Sequence, residues 1–369
     1  MLRYLNGNTN TRNKPNENYA RELLELFTIG RGDLAGPSDY TTFTEDDVIE
    51  VAKILTGWRD FGFKSTDPAI QGEVAFVQAR HNRGTKQLSH RFDDIILSNS
   101  DELEYAELID IIFQKRAVAL FICRKIYRWF VYYEIDEVVE EQIIGPLADT
   151  LIEHDFEMKP VLKQLLSSEH FFDAELIGPM IKNPLDFAIG IFRQFEIAIP
   201  DEEFDVPYRI WNAINTLLPV LQMVYLDPPD VAGWKAYYQE PGYYQIWISS
   251  VTLTTRMEIT DLLTVGNRRV SGVTINIDVL NFVSQLDDAL DPNAVINEFA
   301  SILFTQPLTE KQLISLKEIL IPGLPDYEWT VEYSDYISNP SDENLKNGVE
   351  NRLRSLLQAM LSMPEYHLM

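Results

Sequence analysis

Residues 16–30, NENYARELLELFTIG, carry the clearest helix signal in the chain. Asn16 or Asn18 can cap the first turn, because a short side-chain oxygen accepts a hydrogen bond from an otherwise unpaired backbone N–H. Gly30 can adopt the left-handed conformation that ends a helix. Apolar residues recur at helical spacing and predict the buried face of this helix: Tyr19, Leu23, Leu26 and Phe27.

Polar side chains line one border of this predicted helix. At about 100° per residue, Asn18, Glu22 and Glu25 fall together beside the apolar face. Three oxygen-bearing side chains in that position can hold a cation, a buried Arg or a ligand hydroxyl. The alternative is a solvated flank in which Glu17 and Arg21 pair across one turn. Because Glu22 stands at the edge of the apolar face, its carboxylate is predicted to be partly desolvated and to take an Arg as its partner.

Helical periodicity continues through most of the chain. Thr44 and Asp47 form a capping box that opens the next predicted helix. Residues 58–100 and 227–243 are rich in Gly, Pro and aromatic residues and are typical of long loops. The sequence predicts an all-α fold, an irregular multi-helix bundle with minimal strand content. The other predicted helices cover residues 101–115, 117–133, 136–153, 158–168, 182–196, 208–223, 245–263, 278–288, 292–304, 309–320 and 342–362, and strand-like alternation occurs only at 270–277 and 328–334.

The pattern changes near residues 264–277, which indicates a boundary between two groups of helices. We expect a main helical domain over residues 1–264, which contains most of the motifs. A C-terminal helical subdomain over residues 278–369 is expected to pack on it. No repeat of fixed period is present.

The composition excludes several function classes. The 369 residues include 57 acidic and 31 basic side chains, for a formal net charge of −26. Nucleic acid and anionic membrane surfaces both require a basic face, so neither is an expected partner. No run of about 20 apolar residues occurs, so no transmembrane segment is predicted. The single cysteine, Cys123, lies in an apolar run and is expected to be an inert core thiol.

Several short blocks resemble the motifs of one protein family. One position departs from the family pattern, because Asn82 stands where Asp most often follows the motif His. The blocks are residues 16–30, Tyr40 through Trp58, His81 with Gly84 and Lys86, residues 182–187 (KNPLDF), residues 227–234 (DPPDVAGW), Trp247 with Arg256, and residues 361–366 (LSMPEY). By these blocks the chain resembles domain of unknown function family 1800, whose members are uncharacterised exported helical proteins of bacteria.

The resemblance implies a cellular context that the residues themselves do not give. Members of that family carry a helical region, beginning with an export signal, before the first motif. We therefore expect this chain to be truncated at its N-terminus. The chain alone does not predict a localisation, and the resemblance suggests a periplasmic or exported protein. Members often occur beside uncharacterised family 1501, which looks sulfatase-like, and this implies a sulfatase-like partner.

His81 and Lys86 are the best candidates for reactive polar groups. A loop His beside Gly84 can act as a general base or a ligand, and a nearby Lys can bind an anion. The alternative is a structural His that only satisfies hydrogen bonds. Asn82 favours this alternative, because no adjacent carboxylate completes an acid–base pair.

Large aromatic rings crowd the segment from Pro228 to Trp247. Such rings stack on apolar sugar faces and anchor peptide interfaces, which favours a binding surface. The alternative is that Trp234 and Trp247 plug the helical core while the tyrosines support an irregular loop. The tyrosines concerned are Tyr237, Tyr238, Tyr243 and Tyr244.

Two function classes remain. The first is a non-catalytic exported or envelope protein that binds or assembles something, accessory to the sulfatase-like partner and without a cofactor. The second is a hydrolase or metal-dependent enzyme in which Glu22 and Glu25 are candidate ligands of a divalent cation. The first is favoured, because no pattern supplies a nucleophile, a base and an orienting group together. The candidate functional residues, predicted to converge in one site, are Asn16, Glu17, Asn18, Arg21, Glu22, Glu25, Trp58, His81, Lys86, Trp234, Trp247 and Arg256.

Overall fold

The computed structural model describes residues 2–200, 204–266, 269–270 and 272–369. Helices dominate it and strands are short, so the predicted all-α class is confirmed. The chain divides into two compact units, residues 1–171 (unit 1) and 172–369 (unit 2). The domain boundary near residues 264–277 stays a prediction. Within the described residues, no helix has both the length and the apolar character needed to cross a bilayer.

Unit 1 combines helices with three small antiparallel hairpins. The helices are α1 Glu17–Glu22, α2 Glu45–Ile54, α3 Glu104–Phe113, α4 Arg116–Phe130, α5 Glu137–Val139, α6 Gly145–Glu153 and α7 Met158–Leu166, with π-helical segments at Leu23–Thr28 and Glu140–Ile144. The hairpins pair β1 Leu34–Gly36 with β2 Asp39–Tyr40, β3 Trp58–Phe61 with β4 Glu73–Phe76, and β5 Lys86–Gln87 with β6 Ile96–Leu97.

The signature segment 16–30 begins and ends as its sequence predicts. The Asn16 side chain accepts the Asn18 backbone N–H at 3.0 Å and caps α1. Gly30 takes a φ of +75°, and a Cβ there would lie 2.5 Å from the Phe121 ring, so both conformation and space require glycine. The positive φ lets the chain turn away while the last turn packs on α4.

The buried face of this segment differs from the prediction. Ala20 and Leu24 are fully buried and Thr28 nearly so, whereas Phe27 is 41% exposed. From Leu23 onward the helix has π geometry, which adds residues to each turn and rotates later side chains away from the positions of a regular α-helix. The assignment of Phe27 to the core was therefore wrong.

Helix α2 lies at the centre of unit 1. Its capping box is present, with the Thr44 backbone N–H donating to Asp47 Oδ2 at 2.7 Å. Asp47 is fully buried and also accepts the Ser89 N–H and hydroxyl, each at 2.7 Å, which ties α2 to the residues after β5. Cys123 is fully buried and burial raises its pKa to about 12, as expected of an inert thiol. The core around α2 includes Leu24, Phe43, Val48, Val51, Ala52, Leu88, Phe92, Leu108, Ile112 and Val118.

Unit 2 is a helical bundle with one small hairpin. Its helices are α8 Pro184–Gln194, α9 Val206–Leu217, α10 Ser250–Val265, α11 Val279–Ser284, α12 Pro292–Leu303, α13 Glu310–Leu320, α14 Asp326–Ser338 and α15 Glu343–Leu361, and the hairpin pairs β7 Arg269–Val270 with β8 Val273–Thr274. Helix α15 is the centre of this bundle and contacts α10, α11, α13 and α14. Its buried stripe is Val349, Leu353, Leu356, Leu357, Met360 and Leu361.

Of the two strand-like segments, one forms a hairpin and the other is helical. Part of residues 270–277 lies in β7 and β8, whereas residues 328–334 lie inside α14. The strand prediction for 328–334 was wrong, because Trp329 and Tyr333 stack with ring centroids 5.5 Å apart across one helical turn and face the core. The spacing of these two aromatic residues, one helical turn apart, therefore matters more for this segment than the strand-like alternation of its sequence.

Candidate functional site

The twelve candidate residues divide between the two units. Nine belong to unit 1, and Trp234, Trp247 and Arg256 belong to unit 2. In the described part of unit 1, no hydrogen bond or ion pair joins Glu22 or Glu25 to the loop that carries His81 and Lys86. Convergence with the 228–247 segment stays a prediction.

Three of the candidates hold the signature helix in place. Asn16 is its cap, and the Asn18 amide donates to the Leu5 carbonyl at 3.4 Å. Arg21 donates to both carboxylate oxygens of Glu45 on α2, at 2.8 and 2.6 Å, while its predicted partner Glu17 is 3.9 Å away. The strong interaction of Arg21 therefore joins α1 to α2.

Glu22 and Glu25 keep more chemical freedom. Both are half-buried, and burial, followed by the charge of Glu25, raises the pKa of Glu22 against the opposing effect of Arg21. The predicted desolvation of Glu22 is present. The Arg partner is not found among the described residues, and Glu25 pairs with Arg31 at 3.4 Å. In the described part of the chain, Glu22 is a half-buried carboxylate beside the like charge of Glu25, and it forms no ion pair.

His81 and Lys86 meet a third ionisable residue, Glu104, in the interior of unit 1. Lys86 Nζ lies 2.6 and 2.8 Å from the two Glu104 carboxylate oxygens, and His81 Nε2 lies 2.7 Å from Oε2. All three side chains are fully buried. Lys86 opens β5, Glu104 opens α3 and His81 follows a 3-10 turn, so the network joins three elements.

The rest of this network is closed by Thr56 and Asn82. His81 Nδ1 is 2.9 Å from the Thr56 carbonyl oxygen, which suits a donor at that nitrogen. The Asn82 N–H donates to the Thr56 hydroxyl at 2.7 Å, and the Asn82 carbonyl accepts from Lys86 Nζ at 2.5 Å. Asn82 therefore acts through its backbone, and the network needs no carboxylate at this position.

The His81–Glu104 contact is short but poorly aligned. Nε2 is close to Oε2, but the ring is not oriented for a straight N–H···O bond. With a proton on Nδ1, the contact is favourable only if Nε2 or the carboxyl group also carries one. Burial, the largest effect, raises the pKa of Glu104 against the opposing influence of Lys86 and His81. The three ionisable side chains of this network are fully buried, so none of them is exposed to exchange a proton with a substrate.

Glu104 is the member of this network that the sequence did not reveal. It lies in an acidic run, DELEYAEL, where no spacing separates it from its exposed neighbours. The available signal was Lys86, because a Lys in an apolar core must find an acid. Trp58 is half-buried beside the same network, and its ring packs 5.5 Å from Phe76 and 5.3 Å from Tyr105.

Arg256 lies in a separate cluster inside unit 2. It is fully buried on α10, and Nη2 donates to the Lys182 carbonyl oxygen at 2.7 Å. The guanidinium carbon lies 4.8 Å from the centre of the Phe187 ring. Across the described residues, Nε and Nη1 have no hydrogen-bond partner. Burial lowers the pKa of Arg256 to about 10, as expected of a cation without a counter-charge.

His367 and Lys182 complete this cluster. The His367 ring is 5.7 Å from the Phe187 ring, and neither ring nitrogen has a hydrogen-bond partner in the described residues. Burial, then Arg256 and Lys182, lower the pKa of His367 to about 4. Lys182 Nζ donates to the Tyr366 carbonyl oxygen at 2.6 Å, and burial followed by Arg256 lowers its pKa to about 8.

Folding thus brings three cationic or potentially cationic side chains from distant parts of unit 2 to one place, which we call the cationic cluster: Lys182, Arg256 and His367. Of these three residues, only Arg256 was a candidate predicted from the sequence. Lys182 precedes α8 and His367 lies near the end of the chain, so no local spacing could have predicted their approach.

The aromatic rings of 228–247 pack mainly on one another. Trp247 is 2% exposed, and its ring lies 5.9 Å from that of Tyr237. Tyr237 also contacts Tyr244 at 5.6 Å and Trp234 at 6.4 Å. Trp247 therefore lies where the core interpretation put it, whereas Trp234 is only half-buried and Tyr244, which that interpretation assigned to the loop, is buried.

Metal chemistry has few suitable donors. Within the ranges that the structure describes, no group of three or more His, Cys, Asp or Glu side chains is placed to hold a metal ion. Glu22 and Glu25 can offer two carboxylates, and any further ligands would be water or substrate.

We expect Lys86→Met to lower the free energy of unfolding by about 3–5 kcal/mol, because it leaves the Glu104 carboxylate buried without its cation. Chemical denaturation measures the loss. Arg116→Met is the matched control, since Arg116 pairs with Asp149 at 2.8 Å with both side chains more than half exposed. Loss of that surface pair should cost less than about 1 kcal/mol.

The double variant Lys86→Met with Glu104→Gln should recover part of that loss, giving a coupling energy of about 1–3 kcal/mol. Simple additivity of the two single losses would show that the two side chains do not stabilise each other.

Acid should destabilise unit 2 through His367. Its folded-state pKa of about 4 lies below the ordinary value of 6.5, so its contribution to stability is present above pH 6.5 and is lost as the pH falls towards 4. We expect wild type to lose about 3 kcal/mol more than His367→Gln across this interval, at about 1.4 kcal/mol per pKa unit. The lowered pKa of Lys182 acts between about 8 and 10.5 and does not enter this interval. Parallel stability curves for both proteins, measured by denaturation at each pH, would contradict the expectation.

Comparison with known families places the whole chain. The model of the family described as "Protein of unknown function (DUF1800)" matches residues 1–368. No curated protein and no solved structure matches the chain. The matched range includes both units and every sequence block from the signature helix to the C-terminal segment, so the resemblance predicted from the sequence is confirmed. The chain belongs to this family of proteins of unknown function, DUF1800.

Proposed function

We propose that this chain is a non-catalytic binding or assembly protein of the bacterial envelope or exterior. The observation that carries the proposal is the closed network in unit 1. His81 and Lys86, the best candidates for acid–base chemistry, are fully buried and bonded to Glu104, Thr56 and Asn82. A general acid or base must reach a substrate atom, and these groups reach only one another.

Unit 2 contains buried nitrogen atoms that a ligand could bond. Arg256 and His367 are buried with nitrogen atoms that bond to nothing in the described residues. Leaving buried donors unpaired costs free energy, and a water molecule, an ion or a ligand that completes the bonds removes that cost. The two units therefore differ. The buried ionisable side chains of unit 1 bond to one another, whereas Arg256 and His367 of unit 2 have nitrogen atoms that could bond to a ligand.

The partner we propose is the sulfatase-like protein of neighbouring family 1501, to which this chain would be accessory. The family resemblance supports this partner and the exported location. It rests on association alone and implies no particular contact surface.

The test is co-expression of the chain with a family 1501 protein from the same genome, followed by size-exclusion chromatography with light scattering. We expect a stoichiometric complex, and no turnover of ester substrates by the chain alone. Turnover by the isolated chain that His81→Asn abolishes, in a variant that stays folded, would replace the proposal with an enzymatic function.

A metal-dependent hydrolase is the second candidate function, and Glu22 is the observation that favours it. Glu22 is half-buried beside Glu25, its pKa is raised, and it forms no ion pair with a described residue, an arrangement found at catalytic sites. Here Glu22 and Glu25 would bind a divalent cation, and the cation would activate water.

Titration with calcium or zinc separates the two candidates. If Glu22 binds an ion, the melting temperature of the wild type should rise with ion concentration, because a ligand of the folded state stabilises it by mass action. Glu22→Gln should remain folded and lose that rise. We expect the melting temperature of the wild type not to rise with ion concentration. A rise that Glu22→Gln abolishes would favour the hydrolase.

A further inference from the structure

We propose that the cationic cluster of Lys182, Arg256 and His367 in unit 2 is a binding site for a monoanionic carboxylate ligand. This site rests on the binding function proposed above, for which it gives the chemical class of the ligand. Its evidence is the set of buried nitrogen atoms that lack partners.

The unpaired atoms point to a missing acceptor. Arg256 uses only Nη2, towards the Lys182 carbonyl, and leaves the donors at Nε and Nη1 unused although the side chain is fully buried. His367 is 3% exposed and leaves both ring nitrogens unused. One side chain with an unused donor can be a packing compromise. Two side chains that pack against the same Phe187 ring are better explained by a shared ligand.

The local charge selects a monoanion. At neutral pH Arg256 and Lys182 are cationic and His367 is neutral, since its pKa is about 4. Asp186 is the acid that opposes the burial effect on Lys182, and it is exposed and accepts the Asn183 amide at 2.6 Å. The negative charge of Asp186 offsets the positive charge of Lys182. The cluster therefore has one net positive charge, on Arg256, although the chain as a whole has a formal net charge of −26.

The walls of the cluster select a carboxylate among monoanions. Phe187 and Tyr366 provide ring faces beside Arg256 and Lys182. A strongly hydrated dianion such as sulfate loses too much solvation energy in such surroundings. A carboxylate carries one charge, accepts two hydrogen bonds and can bear an apolar body that packs on the rings.

Exposure decreases from the edge of the cluster to its interior. Asp186 is exposed, Lys182 is half-buried, and Arg256 and His367 are buried, so Lys182 is the member of the cluster nearest to solvent. Lys182 would meet the carboxylate first and Arg256 would hold it.

The experiment follows the His367 imidazole by NMR during titration with sodium acetate and sodium benzoate. His367→Gln assigns the resonance. We expect saturable shifts with both acids, larger affinity for benzoate, and a rise of about one unit in the apparent pKa of His367, since a nearby anion favours the imidazolium. Sodium chloride and sodium sulfate at equal ionic strength, and benzamide, should produce none of these effects.

Substitution of Arg256 distinguishes a ligand-binding role from a structural one. Arg256→Met should bind benzoate at least tenfold more weakly. Its melting temperature without ligand should equal or exceed that of the wild type, because the substitution removes an unpaired buried charge. Arg256→Lys keeps a charge at the position and should also bind at least tenfold more weakly. Arg209→Met, which removes an exposed Arg paired with Asp205 on α9, is the matched control and should bind as the wild type does.

Three results would overturn the inference: no saturable response of His367 to either acid, an equal response to chloride, or unchanged affinity in both Arg256 variants. Peptides with free and amidated carboxyl termini distinguish a protein carboxylate from a small acid as the natural source. These outcomes are independent of complex formation with a family 1501 protein, so failure of one proposal is distinguishable from failure of the other.

Discussion

The ion pair between Lys86 and Glu104 is the constraint on which unit 1 depends. Neither side chain has access to water, so each charge must be neutralised where it lies. That requirement fixes the start of α3 against β5, places His81 beside the same carboxylate, and draws the Thr56 backbone at the end of α2 into contact with the imidazole. Elements with little apolar area of their own, such as the two-residue strand β5, are held by this polar contact.

Unit 2 treats buried charge differently. Its bundle rests on the apolar stripe of α15 and on stacked rings such as Trp329 and Tyr333, which need no polar partner. Against that background Arg256 and His367 are costly, because burial disfavours the charged form of both and no acid among the described residues bonds to either. Under the proposal above, a bound carboxylate would supply the negative charge and the acceptors that Arg256 and His367 lack.

The signature helix shows how far local rules extend. Its cap at Asn16 and its end at Gly30 follow from side-chain and backbone chemistry within a few residues, and both are present. Its buried face does not follow, because the switch to π geometry at Leu23 rotates Phe27 outward. The hairpins of residues 58–97 were expected to be loops, since strands of two to four residues are too short to show alternation.

By itself, the sequence determined the helical class, the positions of most helices, the inert Cys123 and the family, because these depend on periodicity, capping residues and short blocks of adjacent residues. Only the tertiary structure decided which charges meet. Glu104 is one acid among several in its run until folding buries it against Lys86, and His367 is more than a hundred residues from Arg256 until α8, α10 and the last turn come together. The physical reason is that the pKa and the partners of an ionisable group depend on the atoms around it in space. Most of those atoms are distant in the chain.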